Sequence, residues 1–207
     1  IIPDTILFCS ENSINFHKKI FYDNKKFLYL PNGTDLNTFK IKKSFSNNTK
    51  ILNIGCNARY HAMKDHKTLF ETLILLKKNN IKFKLHLIGE GIDLNNFIHF
   101  NLNNNIKIYK LGSNINDFYN NLDIHILPSI YGESFSNVVL ESMACGVFNI
   151  VTDIGNNKSL IDKYGYLFLK KNSDDLYTKI TNFIDNKSYY LSFEFKNLQR
   201  QYISLNF

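Results

Sequence analysis

The fold is decided by two apolar runs and the stretch between them: Ile51-Leu52-Asn53-Ile54-Gly55 and Phe83-Lys84-Leu85-His86-Leu87-Ile88-Gly89. Each run is short and ends in Gly, which is typical of a strand buried on both faces of a sheet. Asp65 can cap a helix between the two runs. The apolar stripe of that helix consists of Leu69, Phe70, Leu73, Ile74 and Leu76. A helix that connects two buried strands predicts a parallel crossover.

The alternation of strand and helix continues along the chain. Further strands are predicted at residues 106–112, 122–128, 148–153 and 166–169. Helices are predicted around residues 94–102, 115–122, 138–144, 174–186 and 189–201. The sequence therefore predicts an α/β fold built on a doubly wound parallel sheet of the Rossmann-like type.

The predicted domain organisation follows from where this alternation begins and ends. Residues 1–40 lie outside this alternation and are therefore expected to be the end of a preceding domain. The chain also starts with Ile1 and not with Met, so it looks like an excised piece. Residues 41–50 are rich in Lys and Asn and are predicted to be a linker. The sheet domain is expected to span residues 51–187, followed by a C-terminal helical segment at 188–207.

Composition and charge narrow the class of protein. The 207 residues are 44% hydrophobic and 14% aromatic, which is enough apolar side chain for a packed core. No apolar run approaches the ~18 residues that a membrane-spanning helix requires, so a soluble protein is expected. The net charge of +7 suits an anionic partner such as a nucleotide, a nucleic acid or an acidic membrane surface.

The cysteines and histidines do not predict a metal site. Cys9, Cys56 and Cys145 are odd in number, widely spaced and lack a C-x-x-C pair, which argues against a disulfide framework and a zinc site. The histidines show neither H-x-x-x-H nor H-E-x-x-H spacing. We therefore predict no metal and a reducing, cytoplasmic environment.

Ligands of open α/β sheets bind beyond the carboxyl ends of the strands, so the loops after the apolar runs are where a site is expected. The loop after the first run carries Arg59 and Lys64. A guanidinium and an ammonium group together suit a diphosphate, because Arg bridges two oxygens and Lys supplies a point charge. Taken alone, the pair is more simply interpreted as two solvated surface cations.

A second loop follows residues 122–128 and leads into a helix that is predicted to open at Ser134. The free N–H groups at such an N-terminus can bind phosphate. Glu133 lies just ahead of this helix and Glu141 lies within it, so one carboxylate could accept hydrogen bonds from a ribose and the other from a hexose. Each acid taken singly is explained as an ordinary helix charge. The Gly-x-Gly turn at Gly89 is given no catalytic role.

Three segments resemble a known family. They are Leu30-Pro31-Asn32-Gly33-Thr34-Asp35-Leu36-Asn37-Thr38-Phe39, the loop from Ala58-Arg59 to Lys64-Asp65-His66, and the stretch from Leu127-Pro128-Ser129 to Met143-Ala144-Cys145-Gly146. Together they are similar to the C-terminal, donor-binding lobe of retaining GT-B glycosyltransferases of family 4, also called glycosyl transferases group 1. The third segment includes an E-x7-E spacing, and the resemblance covers most of the chain.

The resemblance implies a role for each candidate residue. Arg59 and Lys64 hold the donor diphosphate and stabilise the leaving nucleoside diphosphate. Glu133 orients the transferred sugar, so these three are the expected catalytic residues, and Glu141 binds the ribose hydroxyls. The backbone that contacts phosphate and sugar belongs to Phe135, Ser136, Asn137 and Val138.

The resemblance also implies the reaction. A sugar passes, with retention of configuration, from a UDP- or GDP-sugar to a glycan or lipid-linked acceptor, without a cofactor or a divalent metal. The expected setting is bacterial surface polysaccharide or glycolipid synthesis in the cytoplasm, and peripheral contact with the inner face of the membrane is left open. Residues 1–40 become the end of an N-terminal lobe plus the interlobe segment, and the nucleotide-sugar-binding lobe alone is expected to be incomplete for catalysis.

Two other functions stay open at this point. One is a non-catalytic basic module that binds nucleic acid. It is disfavoured, and no nucleic-acid partner is expected, because the lysines are spread along the chain without an aromatic-interleaved stripe. The other is a related GT-B sugar epimerase, which would differ in its product.

Overall fold

A computed structural model describes residues 4–20, 26–42 and 50–207 of the chain. In chain order the elements are β1 (Thr5–Phe8), α1 (Glu11–Ile20), β2 (Lys26–Tyr29), β3 (Leu52–Asn57), α2 (His66–Lys78), β4 (Phe83–Ile88), β5 (Ile106–Ile108), α3 (Ile115–Asn120), β6 (Ile124–Leu127), α4 (Asn137–Ala144), β7 (Phe148–Thr152), α5 (Asn157–Ile161), β8 (Gly165–Phe168), α6 (Ser173–Asp185), α7 (Lys187–Tyr190) and α8 (Phe193–Asn206).

Six strands form one parallel sheet in the order β5-β4-β3-β6-β7-β8. From β3 the chain winds outward to β5, and it then returns to β6 and winds outward in the opposite direction. The predicted α/β fold with a doubly wound parallel sheet is therefore confirmed. The winding reverses between β3 and β6, so the loops that follow these two strands diverge and leave a crevice between them.

The core confirms most of the predicted helix stripe. Leu69, Phe70, Leu73 and Leu76 of α2 are fully buried. Ile74 is 39% exposed, so including it in the apolar stripe was wrong. It lies five residues after Leu69, a spacing that carries it around the helix from the buried side.

Several predicted boundaries shift, each for a local reason. Residues 94–102 were predicted as a helix of the main alternation. They form instead a 3-10 helix at Leu94–Phe100, which a capping box at Asp93 starts and a left-handed Asn101 ends. The helix predicted to open at Ser134 begins only at Asn137, because Ser136 is extended and serves as its N-cap. Most of the linker predicted at residues 41–50 lies outside the described residues.

The first described segments form a small unit of their own. Strands β1 and β2 pair in parallel and do not join the six-stranded sheet. The unit contacts the sheet domain through Asn12, whose amide donates to the Gly155 carbonyl at 2.7 Å, and through Asn32, whose amide donates to Asn137 Oδ1 at 2.8 Å. Its assignment to a separate lobe stays a prediction.

The cysteines are free thiols. Cys56 lies in β3 and Cys145 follows α4, and burial raises the pKa of each thiol to about 12. Cys9, after β1, is half-buried. The thiols of the sheet domain therefore contribute to packing as small apolar groups.

The C-terminal helix α8 is fastened to the segment that precedes the sheet domain. The Arg200 guanidinium donates to the backbone carbonyls of Leu36, Phe39 and Ala144. Leu36 and Phe39 lie before the sheet domain, and Ala144 is the last residue of α4. The Arg200 side chain therefore joins residues 36–39, α4 and α8.

Arg200→Lys is expected to lower the free energy of unfolding by about 1–3 kcal/mol, because an ammonium group cannot serve three carbonyls as a planar fork does. Urea denaturation measures the change. Arg59→Lys is the matched control, since Arg59 is exposed and its substitution should change stability by less than about 0.5 kcal/mol. Equal destabilisation by both variants would contradict the fastening role of Arg200.

Candidate functional site

A cleft of about 370 Å³ opens between the loops that follow β3 and β6. It lies at the reversal of the sheet winding, where ligands of open α/β sheets bind. The described residues that line it are Asn57, Ala58, Arg59, Met63, Lys64, Gly132, Glu133, Phe135, Ser136, Asn137 and Val138. The structure thus brings together every predicted site residue except Glu141.

The first wall of the cleft is the loop after β3. Its backbone continues the sheet pairing, since the Ala58 N–H donates to the Ile88 carbonyl at 3.0 Å and the Tyr60 N–H donates to the Glu90 carbonyl at 2.7 Å. The Gly-x-Gly turn that sequence reasoning set aside therefore shapes the loop that carries Arg59. The Arg59 guanidinium is exposed, and its Nη2 lies 3.4 Å from the Met63 sulfur.

The opposite wall is the start of α4. The first N–H groups of a helix have no partner within the helix and carry its positive dipole end, so this wall can bind an anion. Phe135 is buried and its ring packs edge-on against Phe207 at 5.6 Å. The contact with Phe207 thereby fixes the residues that lead into α4.

Glu133 stands between the two walls and is paired with Lys64 across the cleft. The two side chains are only 10% and 15% exposed. Ser129 Oγ donates to Glu133 Oε1 at 2.7 Å, and Ser136 Oγ lies 3.1 Å from Oε2. The carboxylate of Glu133 is thus oriented by one cation and two hydroxyl groups.

A glycine allows the loop around Glu133 to pack closely. Gly155, in the loop after β7, has a φ of +58°, and a Cβ there would lie 2.0 Å from the Glu133 carbonyl oxygen. A larger residue at position 155 is excluded both by its backbone conformation and by this contact. The loop after β7 therefore supports the cleft from behind.

Glu141 lies in α4 but is not among the described residues that line the cleft. Its Oε2 accepts a hydrogen bond from the Tyr119 hydroxyl at 3.0 Å. Burial raises the pKa of Glu141, and the hydrogen bond from Tyr119 partly opposes that rise. The interpretation of Glu141 as an ordinary exposed helix acid is excluded by this environment.

A buried polar network positions α4 against the sheet. His125 Nδ1 and the Ser142 hydroxyl lie 2.9 Å and 2.7 Å from Asn149 Oδ1. Burial lowers the pKa of His125 to about 4, so the ring is neutral at pH 7. A neutral ring that accepts the Asn57 N–H at its Nε2 donates from its Nδ1 to Asn149.

Sequence reasoning missed the residues that support the predicted ones. Tyr119 lies in the helix predicted around residues 115–122, and nothing in its spacing links it to Glu141. Ser129 and Asn157 also gave no signal, although Asn157 Oδ1 lies 2.8 Å from Ser136 Oγ. The Tyr119–Glu141 and Ser136–Asn157 contacts join side chains far apart in sequence, so they depend on the tertiary fold, whereas Ser129 lies close to Glu133 in the chain.

Comparison with known proteins assigns the family. The sequence pattern of "Glycosyl transferases group 1" matches residues 37–200, which is most of the chain. The chain belongs to the glycosyl transferases group 1 family. The chain is also 29% identical, over 136 residues, to EpsF of Bacillus subtilis (strain 168), a curated protein whose name describes it as a glycosyltransferase. That match covers 60% of this chain and 35% of EpsF.

Solved structures of glycosyltransferases share the fold of this group 1 chain. HepE of Anabaena, in complex with UDP and glucose, superimposes with a TM-score of 0.85 at 17% identity, covering 100% of this chain and 60% of HepE. The C-terminal domain of the group 1 protein LpcC from Francisella tularensis gives 0.68 at 23% identity, covering 84% of this chain and 98% of that domain. The neighbours have the GT-B fold, so the GT-B prediction is confirmed.

No helix in the described parts of this group 1 chain is long and apolar enough to span a bilayer. Likewise, residues 4–20, 26–42 and 50–207 hold no group of three or more His, Cys, Asp or Glu side chains suited to a metal ion.

The Lys64–Glu133 pair yields a stability prediction. Lys64→Gln and Glu133→Gln are each expected to lower the free energy of unfolding by about 1–3 kcal/mol, because each leaves a largely buried charge without its partner. The double variant should lose less than the sum of the two, as denaturant unfolding of all four proteins in a double-mutant cycle would show. Strict additivity would mean that the two charges do not interact.

Proposed function

We propose that this chain is the donor-binding part of a retaining glycosyltransferase. The single observation that carries the proposal is one cleft that has two cations on one wall, a helix N-terminus on the other and an acid between them. The donor is a UDP- or GDP-sugar and the acceptor is a glycan or a lipid-linked glycan. The role lies in surface polysaccharide or glycolipid synthesis.

The diphosphate of the donor lies between the two walls. Arg59 is exposed at the rim and free to form a planar fork on two phosphate oxygens, while Lys64 adds a point charge deeper in the cleft. As the bond to the sugar breaks, negative charge develops on the departing nucleoside diphosphate. Preorganised cations and the N–H groups of α4 stabilise that charge, which is how the site lowers the barrier.

Glu133 has two functions, one before the donor binds and one after. Without donor it neutralises Lys64, and with donor it releases Lys64 to the phosphate and accepts hydrogen bonds from hydroxyls of the transferred sugar. Ser129 and Ser136 keep its carboxylate oriented during this exchange. Glu141 lies further along α4 and binds the ribose, so the two acids contact opposite ends of the donor.

Several features of the whole protein belong to this proposal. The chain spans 35% of its curated relative and 60% of HepE, so the acceptor site and the complete activity are assigned to a longer enzyme. Catalysis without a cofactor or divalent metal, a cytoplasmic location and peripheral contact with the inner membrane face stay predictions. Retention of configuration is tested by NMR of the product anomer.

Arg59→Gln and Lys64→Gln are each expected to reduce sugar transfer about 10²-fold or more, because each removes a cation from the leaving diphosphate. The measurement is UDP or GDP release from a nucleotide-sugar panel by the full native protein. Lys67→Gln is the matched control, since Lys67 is an exposed cation near the same loop, paired with Glu71 at 3.7 Å. Equal losses in all three variants, or no release from any donor in the unmodified protein, would refute the proposal.

Glu133→Gln separates the two functions of Glu133. It should strengthen binding of the nucleoside diphosphate alone, because Lys64 is no longer neutralised by a carboxylate. It should weaken the preference for the nucleotide sugar over the nucleoside diphosphate, because a carboxylate contact with the sugar is lost. Titration calorimetry with both ligands measures the ratio, and weaker binding of both ligands to the same degree would contradict the exchange.

The rival function as a nucleic-acid-binding module is tested on the same protein. A steep dependence of RNA or DNA binding on salt, without binding of any nucleoside diphosphate, would favour the rival. Group 1 membership and the cleft together favour the transferase.

A further inference from the structure

Two residues that the sequence did not single out hold Glu141. The Tyr119 hydroxyl donates to Glu141 Oε2 at 3.0 Å, and the Asn57 amide Nδ2 donates to the Tyr119 oxygen at 2.9 Å. The three side chains come from β3, α3 and α4. A chain of two hydrogen bonds thus runs from the end of a central strand to a carboxylate in the helix that borders the cleft.

The protons in this chain have one arrangement. The amide nitrogen of Asn57 can only donate, so the Tyr119 oxygen accepts from it and directs its own proton to Glu141. Burial raises the pKa of Tyr119 well above its ordinary value, so the phenol keeps that proton throughout the physiological range. Glu141 therefore receives a hydrogen bond in every state in which its carboxylate is ionised.

Packing prevents Tyr119 from leaving this position. Its side chain is fully buried, and its ring contacts Phe39, Phe118 and His125 at centroid distances between 5.3 and 6.2 Å. Close packing of a fully buried ring against these neighbours favours the observed rotamer. The hydroxyl is thus a fixed point to which the Glu141 carboxylate is attached.

The attachment leaves half of the carboxylate available. Oε2 is occupied by Tyr119, while Oε1 has no hydrogen-bond partner within the described parts of the chain. A carboxylate held in one orientation with one free oxygen is preorganised to accept a hydroxyl group.

We propose that Asn57 and Tyr119 are positioning residues that make the site selective for ribonucleotides, by holding Glu141 with its free oxygen toward the ribose 2′-hydroxyl. This inference rests on the proposed function, because it takes Glu141 as the group that binds the ribose. A 2′-deoxynucleotide leaves the oriented carboxylate desolvated and without a partner, which is costly for a charged group. A freely rotating carboxylate would instead turn to water and discriminate less.

The test compares dissociation constants for ribose and 2′-deoxyribose nucleotides. Titration calorimetry on the full native protein uses UDP against 2′-deoxy-UDP and GDP against 2′-deoxy-GDP. The unmodified protein is expected to prefer the ribonucleotide by about tenfold or more. Tyr119→Phe should reduce that preference by about fivefold, mainly through weaker binding of the ribonucleotide.

Tyr166→Phe is the matched control. Tyr166 is half-buried and its hydroxyl, like that of Tyr119, has a side-chain partner, the Tyr190 hydroxyl at 2.7 Å, but Tyr166 belongs to β8 at the edge of the sheet. This variant should leave the preference unchanged. Asn57→Ala is the second test variant, since it leaves Tyr119 in place. It should lower the preference in the same direction, and adding it to Tyr119→Phe should change little more.

The outcomes separate the two proposals. If the unmodified protein binds neither UDP nor GDP, the proposed function and this inference both fail. If it binds them but shows no preference for ribose over 2′-deoxyribose, the inference fails and the proposed function stands. The same conclusion follows if Tyr119→Phe weakens binding of the ribose and the 2′-deoxyribose nucleotides equally. Should Tyr119→Phe unfold, as circular dichroism would show, an unchanged preference in Asn57→Ala overturns the inference and a reduced preference supports it.

Discussion

The reversal of winding between β3 and β6 is the constraint on which the site depends. These two central strands run in parallel, so the loops at their carboxyl ends emerge side by side. One loop turns toward β4 and the other toward β7, and the space between them cannot be filled by either crossover. The cations of Arg59 and Lys64 and the N-terminus of α4 face each other for this reason.

Other parts of the chain hold these two loops in place. The turn at residues 89–91 pins the first loop through the Tyr60 N–H, and Gly155 lets the loop after β7 pack under Glu133. The end of the chain contributes as well, because Phe207 packs on Phe135 and Arg200 binds the Ala144 carbonyl. The cleft is therefore shaped by residues from the middle of the sequence and from its C-terminal part.

The fold could be predicted from the sequence because its signals are local. A buried parallel strand needs a continuous apolar run, and a crossover helix needs one apolar stripe. Each element can therefore be recognised from a short stretch of sequence. Arg59, Lys64 and Glu133 could also be placed, since they follow strands whose carboxyl ends converge. The start of α4 was misplaced by three residues because the extended conformation of Ser136 is set by its contacts with Glu133 and Asn157.

The supporting residues could not be predicted for a related reason. Tyr119 and Asn57 are ordinary core and strand-end residues in sequence, and only the packing of α3 against the sheet brings them to Glu141. The contact between Lys64 and Glu133 likewise spans 69 positions. Long-range polar pairs leave no periodic trace in a single sequence, so their discovery requires coordinates.

The different burial of the thiols has a practical consequence. Alkylating reagents react with the thiolate, and Cys56 and Cys145 are both buried and kept protonated at neutral pH. A maleimide dye would therefore attach first to half-buried Cys9, without any engineered substitution. Cys9 lies just before α1, and Asn12 of α1 donates a hydrogen bond to the Gly155 carbonyl in the loop after β7. The fluorescence of that dye would therefore report, in real time, movements of α1 relative to this loop.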